Sequence, residues 1–410
     1  MEQKIRFKGF EEEWKKVKLG EIGSWSKGKL LSKDNISETG KFKCIHYGEL
    51  FTMYNEIIYQ VFSKTDLNNG CLSQFGDILF PDSDVTPTGL ARCSSIMETG
   101  VILGGGIHIL RPLPQYYSPF ISLSVNNEKQ QIISRITGTT VRHINAASLS
   151  EIEIVCTENI AEQEKIASYF TSLDSQISAS TSRLASLKQM KAASLQAMFP
   201  QEGEIVPKIR FKGFEGEWKT CVLSSIATMH ARIGWQNLRK DEFLSSGDYY
   251  LITGTDFHDG KISFETCHYI DKERYDQDKN IQLEIDSILI TKDGTLGKVS
   301  IVDSLDKPAT LNAGVFNVRT KDKEIYPKYL FQYLKAPYLM DYVNKNATGG
   351  TIKHLNQNML VNFPVQHPSY KEQVMIGDYL FNLDRQISLQ SQRLEKLKQI
   401  KSACLDKMFV

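Results

Sequence analysis

Threonine, glycine, a cation and a histidine occur together in two short segments, and this combination can contact nucleic-acid phosphates or base edges. Residues 137–145 read TGTTVRHIN and residues 348–356 read TGGTIKHLN. Glycine and threonine expose backbone N–H and hydroxyl groups, while the cation and the histidine reach further. The candidate contacts are Thr139, Thr140, Arg142 and His143 in the first segment and Thr351, Lys353 and His354 in the second. The alternative is a turn whose His and Asn cap the following element.

A second candidate is a glycine-bearing loop between two expected strands. Residues 291–298 read TKDGTLGK, and the corresponding residues 83–89 read SDVTPTG. Glycines in such a loop allow a ligand to approach the backbone closely. The candidate contacts are Thr86, Thr88 and Arg92 in the first loop and Lys292, Thr295 and Lys298 in the second. The alternative is a hairpin turn that carries solvated charges.

Base discrimination is expected where the two halves of the chain differ most, at residues 24–70 and 228–280. Glutamine and asparagine pair well with adenine, and arginine pairs well with guanine. The candidates are Lys27, Lys29, His46 and Tyr47, with Glu49, in the first half, and Arg232, Trp235, Gln236, Asn237, Arg239 and Thr255, with Asp256, in the second. Any one of them taken singly is more often an ordinary surface or core residue.

The candidates occur in pairs because the chain is a tandem repeat. Residues 4–15 (KIRFKGFEEEWK) and 208–219 (KIRFKGFEGEWK) differ only at Glu12 and Gly216, and residues 173–199 resemble residues 383–409. The copies join near residues 201–206. Their interiors diverge, and residues 45–51 (IHYGELF) align only loosely with residues 251–257 (LITGTDF). Constant ends around divergent interiors indicate a shared assembly role and two different ligands.

Each copy ends in an expected long helix, because residues 160–199 lack proline and glycine and their apolar residues repeat at heptad spacing. The rows are Phe170, Ile177, Leu184, Lys191, Met198 and Leu173, Ser180, Leu187, Ser194 in the first copy, and Leu380, Ile387, Leu394, Lys401, Met408 and Leu383, Gln390, Leu397, Cys404 in the second. Polar residues interrupt both copies at matching places and fix the register. A helix of about 38 residues spans roughly 57 Å and cannot bury such a stripe alone. We therefore expect two antiparallel helices that pack on one another.

The interiors have the pattern of mixed α/β domains. Strands are predicted at residues 77–80, 107–110, 287–291 and 315–318, short helices at 116–126 and 327–342, and a strand-end turn at 104–106. The aromatic residues that both copies share are predicted to be packing anchors, and the nearby cations a solvated face. The aromatic residues are Phe7, Phe10, Trp14, Phe211, Phe214 and Trp218, and the cations are Lys4, Arg6 and Lys8.

Composition limits the possible classes of protein. The 49 Lys and Arg balance 48 acids, so the overall charge gives no basic footprint for nucleic acid. No apolar run is long enough to span a membrane, and no secretory signal is visible. The 7 cysteines never form a Cys-x-x-Cys pair. We expect reduced thiols, a cytoplasmic location and no metal site.

The motifs together resemble the specificity subunit of type I restriction–modification systems. They are RFKGFEGEW at the start of a copy, TG-x-T-x-x-H-x-N before a helix that begins with EQ, and LD-x-QIS within that helix. The resemblance covers the whole chain. One departure is that residues 362–364 (NFP) precede the second helix, whereas residues 154–156 (IVC) before the first helix lack proline. This difference puts the docking of the first helix in doubt.

The resemblance implies an α+β protein with two pseudo-symmetric mixed α/β target-recognition domains separated by two long antiparallel coiled-coil helices. The implied regions are a first domain (1–159), a first helix (160–200), a linker (201–206), a second domain (207–370) and a second helix (371–410). Each domain would read one half of a bipartite double-stranded DNA site. The helices would set the gap and dock two methyltransferase subunits, which motor-nuclease subunits join.

Two other classes of protein were weighed against this interpretation. No methyltransferase, phosphate-loop or nuclease motif is present, so we expect a non-catalytic chain without a cofactor. A scaffold that binds only protein partners through its two domains and coiled coil agrees slightly better with the near-neutral charge. Salt-dependent DNA binding distinguishes the two, because only a DNA-binding complex releases counterions from phosphates.

Overall fold

The computed structural model describes residues 5–233, 238–321, 324–346 and 355–409. The chain divides into two compact units. The first unit comprises Met1–Ser180 with Leu394–Val410, and the second comprises Thr181–Arg393. Each unit therefore joins one mixed α/β domain to parts of both long helices. The two long helices predicted from the heptad rows are present.

The first unit contains a five-stranded sheet (β2-β11-β7-β9-β4), a four-stranded sheet (β5-β3-β10-β6) and two ladders (β1-β13 and β8-β12). Its strands are β1 Lys15–Lys18, β2 Gly23–Lys27, β3 Phe42–Ile45, β4 Ile57–Ile58, β5 Lys64–Thr65, β6 Cys71–Leu72, β7 Asp77–Pro81, β8 Ser83–Asp84, β9 Ser94–Ile96, β10 Ile102–Leu103, β11 Ile107–Pro112, β12 Arg142–His143 and β13 Glu153–Cys156. Its helices are α1 Leu19–Ile22, α2 Glu49–Thr52, α3 Pro87–Leu90, α4 Ser118–Asn127, α5 Lys129–Ile133 and α6 Ala146–Ser150, followed by the long helix α7 Ile160–Met198.

The second unit repeats this plan with sheets β15-β23-β20-β21 and β19-β16-β22 and ladders β14-β24 and β17-β18. Its strands are β14 Lys219–Val222, β15 Ala227–Ala231, β16 Tyr249–Ile252, β17 Phe257–His258, β18 Lys261–Ile262, β19 His268–Ile270, β20 Ile288–Thr291, β21 Val299–Ile301, β22 Ala309–Leu311, β23 Val315–Thr320 and β24 Pro364–His367. Its helices are α8 Leu223–Ile226, α9 Lys272–Asp276, α10 Pro327–Lys335, α11 Tyr338–Lys345 and α12 Gln357–Val361, and the long helix is α13 Tyr370–Met408.

The predicted strands are confirmed as β7, β11, β20 and β23. Both β7 and β20 are buried along their whole length, which explains their continuous apolar sequences. The helix predicted at residues 116–126 is α4. The single helix predicted at residues 327–342 is wrong, because α10 ends at Lys335 and α11 begins after Pro337. Proline has no backbone N–H to donate and its ring clashes with the preceding turn, so the helix breaks there.

The repeated Arg and Glu residues attach the N-terminal segment of each copy to the start of its long helix. Arg6 donates from Nε and Nη2 to the carboxylate of Glu162 at 2.7 and 2.8 Å. Arg210 forms the same two-point pair with Glu372, at 2.9 and 2.6 Å. Both glutamates are fully buried. The prediction that Arg6 lies on a solvated face is therefore wrong, because its guanidinium neutralises a buried carboxylate.

The glutamine that follows each of these glutamates holds the helix to its own domain. Gln163 accepts from the Tyr117 N–H at 2.7 Å and donates to the Thr157 carbonyl at 2.8 Å. Gln373 accepts from the Tyr326 N–H at 2.9 Å and donates to the Pro368 carbonyl at 3.0 Å. The EQ pair thus satisfies buried backbone groups at the start of each helix.

The repeated tryptophans are packing anchors, as predicted. In the first unit Trp14 packs edge-on against Phe120 and Phe409, with ring centroids 5.5 and 6.0 Å apart. In the second unit Trp218 packs against Phe199 at 6.2 Å. Phe199 and Phe409 follow the last residues of α7 and α13, so each domain core receives an aromatic side chain from the end of a long helix.

The two long helices run antiparallel within each unit. In the first unit Tyr169 lies 3.5 Å from Cys404, and Asp174 pairs with Lys401 at 2.7 Å. In the second unit Asp384 pairs with Lys191, and Tyr379 lies 3.2 Å from Ser194. In each unit, a residue further along α7 contacts a residue that comes earlier in α13, so the two helices run in opposite directions. Lys191 and Lys401, the lysines that interrupt the heptad rows, therefore form ion pairs between the two helices.

The missing proline does not alter the strand before the first helix. In the ladder β1-β13, Lys18 faces Glu153 and Lys15 faces Cys156. In the ladder β14-β24, Val222 faces Pro364 and Lys219 faces His367. Pro364 thus takes the place of Glu153 at the start of a two-stranded ladder, where proline is tolerated. The strand pairing therefore gives no reason to expect that the first helix docks differently from the second.

Candidate nucleic-acid interface

One edge of the five-stranded sheet gathers several of the predicted contacts in the first unit. Strands β2 and β7 end at this edge and β11 begins there, because β11 is antiparallel to both. His108 on β11 faces Lys27 on β2 and Phe80 on β7. Asp82 directly follows β7, and its carboxylate lies 2.7 Å from the Lys27 ammonium. We call this edge, with the loops that leave it, the strand-end surface.

Asp82 is the charged centre of this surface in the first unit. Its carboxylate also accepts a hydrogen bond from the Ser83 hydroxyl at 2.6 Å. Burial alone would raise the pKa of Asp82, but the bonds from Lys27 and Ser83 outweigh it and hold the pKa below its ordinary value. Burial lowers the pKa of His108, whose Nε2 lies 3.0 Å from the Ile144 carbonyl. The surface therefore offers the charged Asp82 as an acceptor, while the neighbouring His108 imidazole is buried.

The two predicted binding segments of the first half are joined by β8 and β12. Arg142 faces Asp84 and His143 faces Ser83 in this ladder. The Arg142 guanidinium donates to the Val85 carbonyl at 2.7 Å, and His143 Nδ1 lies 2.9 Å from the Ser83 hydroxyl. The sequence gives no sign of this pairing, because the segments are far apart along the chain.

Residues 137–143 form a closed loop at this surface. Thr137 and His143 exchange backbone hydrogen bonds at 2.9 and 2.8 Å. Gly138 has φ +92°, and a Cβ there would lie 2.3 Å from the Val141 carbonyl, so the turn requires glycine. Thr139 and Thr140 are exposed at its tip. The capping alternative is confirmed for Asn145, which accepts from the Ser148 N–H and caps α6.

The other candidates of the first unit divide into exposed and engaged residues. Lys29, Thr86 and Thr88 are exposed, and the Thr86 hydroxyl caps α3. The Tyr47 ring lies against Gly106, where a Cβ would come within 2.8 Å of it. His46 is half-buried, and this burial lowers its pKa. The Arg92 guanidinium is held inside the fold by the Tyr54 carbonyl at 2.6 Å, so the prediction of a surface contact there is not supported.

The predicted alignment of residues 45–51 with residues 251–257 is wrong by one residue. The backbone N–H of Gly104 donates to the Ile45 carbonyl at 2.9 Å, and the backbone N–H of Asn312 donates to the Ile252 carbonyl at 2.9 Å. Ile45 in the first copy is therefore equivalent to Ile252 in the second. Glu49 therefore corresponds to Asp256. Both carboxylates are buried, and each accepts from the backbone N–H three residues earlier, at 2.7 Å in both cases. Both residues cap a turn rather than face a ligand.

The second unit builds the same backbone frame with different side chains. The backbone N–H of Asp82 donates to the Gly106 carbonyl at 2.8 Å, and the backbone N–H of Lys292 donates to the Gly314 carbonyl at 2.9 Å. Ile144 donates to the Asp82 carbonyl and Leu355 to the Lys292 carbonyl, at 3.1 and 2.9 Å. Lys292 therefore replaces Asp82. By the same register Ala231 replaces Lys27, and Phe316 replaces His108.

The replacements exchange the ion pair of Lys27 and Asp82 for a single cation, Lys292. The Lys292 ammonium lies 5.6 Å from the centroid of the Phe316 ring. The two side chains line a groove of about 460 Å³ together with Asn356, which caps α12. A lysine is a hydrogen-bond donor and an aspartate an acceptor, so the two units present complementary chemistry at one position.

The glycine-bearing loop of the second half is a hairpin, as its alternative interpretation stated. Strands β20 and β21 pair antiparallel, and the Thr291 hydroxyl accepts from the Lys298 N–H at 2.9 Å. Thr295 and Lys298 are exposed on the loop. Gly297 has φ +70°, in the left-handed region, so this position favours glycine.

The remaining candidates of the second half are not brought together. Arg232 is only 2% exposed and donates to the Leu311 carbonyl at 2.9 Å, so the prediction of a surface contact is not supported. Arg239 and Thr255 are exposed. Six predicted contacts lie outside the described residues: Trp235, Gln236, Asn237, Thr351, Lys353 and His354.

A strained turn in the first unit carries no signal in the sequence. Leu30 and Leu31 follow β2 with φ +55° and +57°, in the left-handed region. This conformation costs roughly 1–2 kcal/mol for a residue with a side chain. Leu31 is buried, whereas Leu30 is 60% exposed beside Lys29. Sequence reasoning selected the neighbouring lysines and missed Leu30.

Within the described ranges no group of His, Cys, Asp and Glu side chains is arranged to hold a metal ion. Among the helices that the structure describes, none is long and apolar enough to cross a membrane.

Comparison with known proteins agrees with this geometry. The family model of the type I restriction modification DNA specificity domain matches residues 11–189 and again residues 215–399. The type I restriction enzyme MjaVIII specificity subunit of Methanocaldococcus jannaschii is 21% identical over 96% of this chain and 92% of that subunit. The EcoBI specificity subunit of Escherichia coli is 22% identical over 65% of this chain and 60% of that subunit.

The fold also agrees with a solved structure. The crystal structure of a type I restriction–modification S subunit from M. genitalium superposes with a TM-score of 0.68 at 18% identity, covering 100% of this chain and 99% of that one. Because the family model matches most of the chain, in two copies, the chain belongs to the family of type I restriction–modification DNA specificity subunits. Membership confirms the resemblance drawn from the repeated motifs and does not favour the protein-only scaffold.

Proposed function

We propose that this chain is the DNA-reading subunit of a type I restriction–modification complex and carries no catalytic centre. Each mixed α/β domain reads one half of a bipartite double-stranded site. The long helices set the unspecified gap and dock two methyltransferase subunits, which motor-nuclease subunits join. The assembly works in the cytoplasm, and this chain needs no cofactor. The regions are residues 1–159 and 207–370 for the domains, 160–200 and 371–410 for the helices, and 201–206 for the linker.

The observation that carries this proposal is the strand-end surface. Its backbone frame is the same in both units, yet Lys27 and Asp82 in the first become Ala231 and Lys292 in the second, and the buried His108 next to them becomes the buried Phe316. A frame retained for folding with exchanged donors and acceptors is what two readers of different base sequences require. The near-neutral overall charge indicates that partner subunits supply many of the phosphate contacts.

A domain replacement tests the modularity of reading. Residues 20–150 are exchanged for the matching interior of another specificity subunit, and modified bases are mapped across the genome of cells that carry the chain with its partners. One half of the bipartite motif should change and the other half should stay. The reciprocal exchange in the second domain is the control. A change in both halves would contradict independent reading, and the absence of any split motif would overturn the function.

The gap assignment is tested by lengthening both helices. A seven-residue insertion after Leu184, matched by one after Leu394, adds about 10 Å of helix, close to three base pairs at roughly 3.4 Å each. It preserves the heptad seam and leaves the ion pairs Asp174–Lys401 and Lys191–Asp384 intact. The motif should keep both halves and gain up to about three unspecified base pairs, fewer if the DNA bends or twists. Matched five-residue insertions are the control and should abolish assembly, whereas an unchanged gap would show that the helices are a tether.

The non-catalytic assignment has a direct test. The purified chain alone should neither transfer a methyl group to DNA nor bind the methyl donor. Its complex with the methyltransferase subunits should do both. DNA binding by that complex should weaken steeply as salt rises, because phosphate contacts release counterions. Methylation by the isolated chain would reveal an active site that the motifs do not show.

A further inference from the structure

The turn after β2 presents an apolar side chain at the strand-end surface of the first unit. Leu31 is buried against Cys44 and Ile102 and fixes the turn to the domain. Leu30 precedes it in the same left-handed conformation and is 60% exposed. The Gly105 N–H donates to the Leu30 carbonyl and the neighbouring Gly106 carbonyl accepts from the Asp82 N–H, so the Leu30 backbone lies near Asp82.

Backbone hydrogen bonds hold this turn rigidly. The Gly105 N–H donates to the Leu30 carbonyl at 2.7 Å, and the Lys29 N–H donates to the Leu103 carbonyl at 3.1 Å. The Gly28 N–H donates to the Ile107 carbonyl at 2.9 Å. Leu30 is therefore presented at a defined place, as a recognition contact requires.

Folding alone gives no reason for leucine at this position. The other two non-glycine residues with positive φ in the described ranges are Asp259 and Asp286, a residue type that tolerates this region. Leucine tolerates it less well, and at position 30 its side chain gains little burial in return. Glycine would meet the backbone requirement without strain. Strain of this kind that persists at a surface is characteristic of functional sites.

We propose that Leu30 contacts the 5-methyl group of a thymine in the half-site that the first domain reads. The thymine methyl is the apolar group that base edges expose in the major groove. Leu30 follows the exposed Lys29 directly and matches this group, because Lys29 can reach a flanking phosphate while the leucine methyl groups meet the thymine methyl. The inference rests on the proposed function and adds that the first half-site contains an A·T pair.

The test pairs a protein substitution with removal of the DNA methyl group. The complex of this chain with its methyltransferase subunits is titrated with oligonucleotides of its own motif, in which each thymine of the first half is replaced in turn by uracil. One replacement should weaken binding about fourfold, the effect of one buried methyl-sized group. The same replacement should have no effect on the Leu30→Ala complex. Leu113→Ala is the control, because Leu113 is exposed just after β11 at the opposite edge of the sheet.

A stability measurement keeps the test decisive if assembly changes. Leu30→Gly should leave the melting temperature unchanged or raise it, because released strain offsets the flexibility of glycine, whereas Leu113→Gly should lower it. A clear loss of stability in Leu30→Gly would overturn the inference. So would a first half-site without thymine, or equal uracil effects in wild type and Leu30→Ala. The absence of any bipartite motif would overturn the proposed function instead.

Discussion

The helix seam carries opposite charge in the two units although both are built from the same repeated residues. In the first unit Lys401 lies 2.7 Å from Asp174 and 3.6 Å from Glu56, so one cation faces two acids. In the second unit Asp384 pairs with Lys191 and, at 3.2 Å, with Lys335, so one acid faces two cations. The Asp–Lys pair comes from the helices in both units, and the third group comes from the domain. The repeated residues therefore fix the register between the two helices, and each domain determines whether the net charge of its cluster is negative or positive.

The pKa values follow this inversion. Burial, with repulsion from Lys335 second, lowers the pKa of Lys191 to about 8. Burial raises the pKa of Asp174, and Glu56 adds to the rise against the pull of Lys401. The same division appears at the strand-end surface, where one frame holds Asp82 in one unit and Lys292 in the other. In both regions the units share the backbone and the framework pairs and differ in the groups that the domains add.

The largest expected effect concerns a contact that both units share. Replacing Arg210 by methionine leaves the buried Glu372 carboxylate without its partner and should destabilise the chain by about 3 kcal/mol. Arg6→Met should cost less, because the Trp14 indole still donates to Glu162 at 3.2 Å. Urea denaturation measures both. Lys8→Met is the matched control, since Lys8 is exposed in the same segment. Equal losses for all three variants would contradict the buried pair.

The next effect separates the two seam clusters. Lys401→Met leaves Asp174 and Glu56 facing each other and should cost about 2 kcal/mol. Lys191→Met should cost well under 1 kcal/mol, because Asp384 keeps Lys335 and accepts from Gln332 at 2.7 Å. Urea denaturation of the two variants side by side provides the measurement. Equal losses of stability for the two variants would show that Glu56 and Lys335 do not distinguish the two clusters.

At the strand-end surface the comparison concerns specificity rather than stability. Lys292→Ala should relax one base position in the second half of the motif by about tenfold and leave the first half unchanged. Asp82→Ala should do the reverse. Lys298→Ala, on the same hairpin, is the control and should weaken binding to all sequences alike. Binding of the complex to a set of single-base variants measures this, and relaxation of the wrong half would break the assignment.

The smallest effect is a pH dependence of opposite sign in the two units. Unfolded Lys191 keeps its proton to near its ordinary pKa of 10.5, whereas the folded residue releases it near 8. The stability of the wild type relative to Lys191→Met should therefore rise from about pH 8 upwards, by about 1.4 kcal/mol per pH unit at most. Folded Asp174 binds its proton more readily than unfolded Asp174, so stability relative to Asp174→Asn should rise as the pH falls. Parallel curves for wild type and variant would contradict either shift.

Much of the fold could be predicted because the sequence patterns that specify it are local and occur in both copies of the repeat. The heptad rows and repeated tryptophans specify burial in each copy, and the apolar runs at β7 and β20 mark central strands. The ion pairs could not be predicted, because Arg6 and Glu162, or Lys401 and Glu56, meet only in three dimensions.

The candidate site could be predicted only in part, because exposure and strand pairing depend on tertiary structure. The segments containing Ser83 and His143 were found separately, and their pairing was not. Arg92 and Arg232 have the right chemistry for DNA but are engaged by backbone carbonyls inside the fold. Leu30 was missed because a left-handed backbone at leucine leaves no trace in composition or periodicity.

Phe409 packs with Trp14 and Phe120 in the core of the first unit, so the domain that is synthesised first is completed by a residue that is synthesised after the second domain. Phe199 stands in the same relation to the second unit, but it is already present when that domain emerges from the ribosome. During translation the first domain must wait with an open core while the second can close as soon as its strands are made.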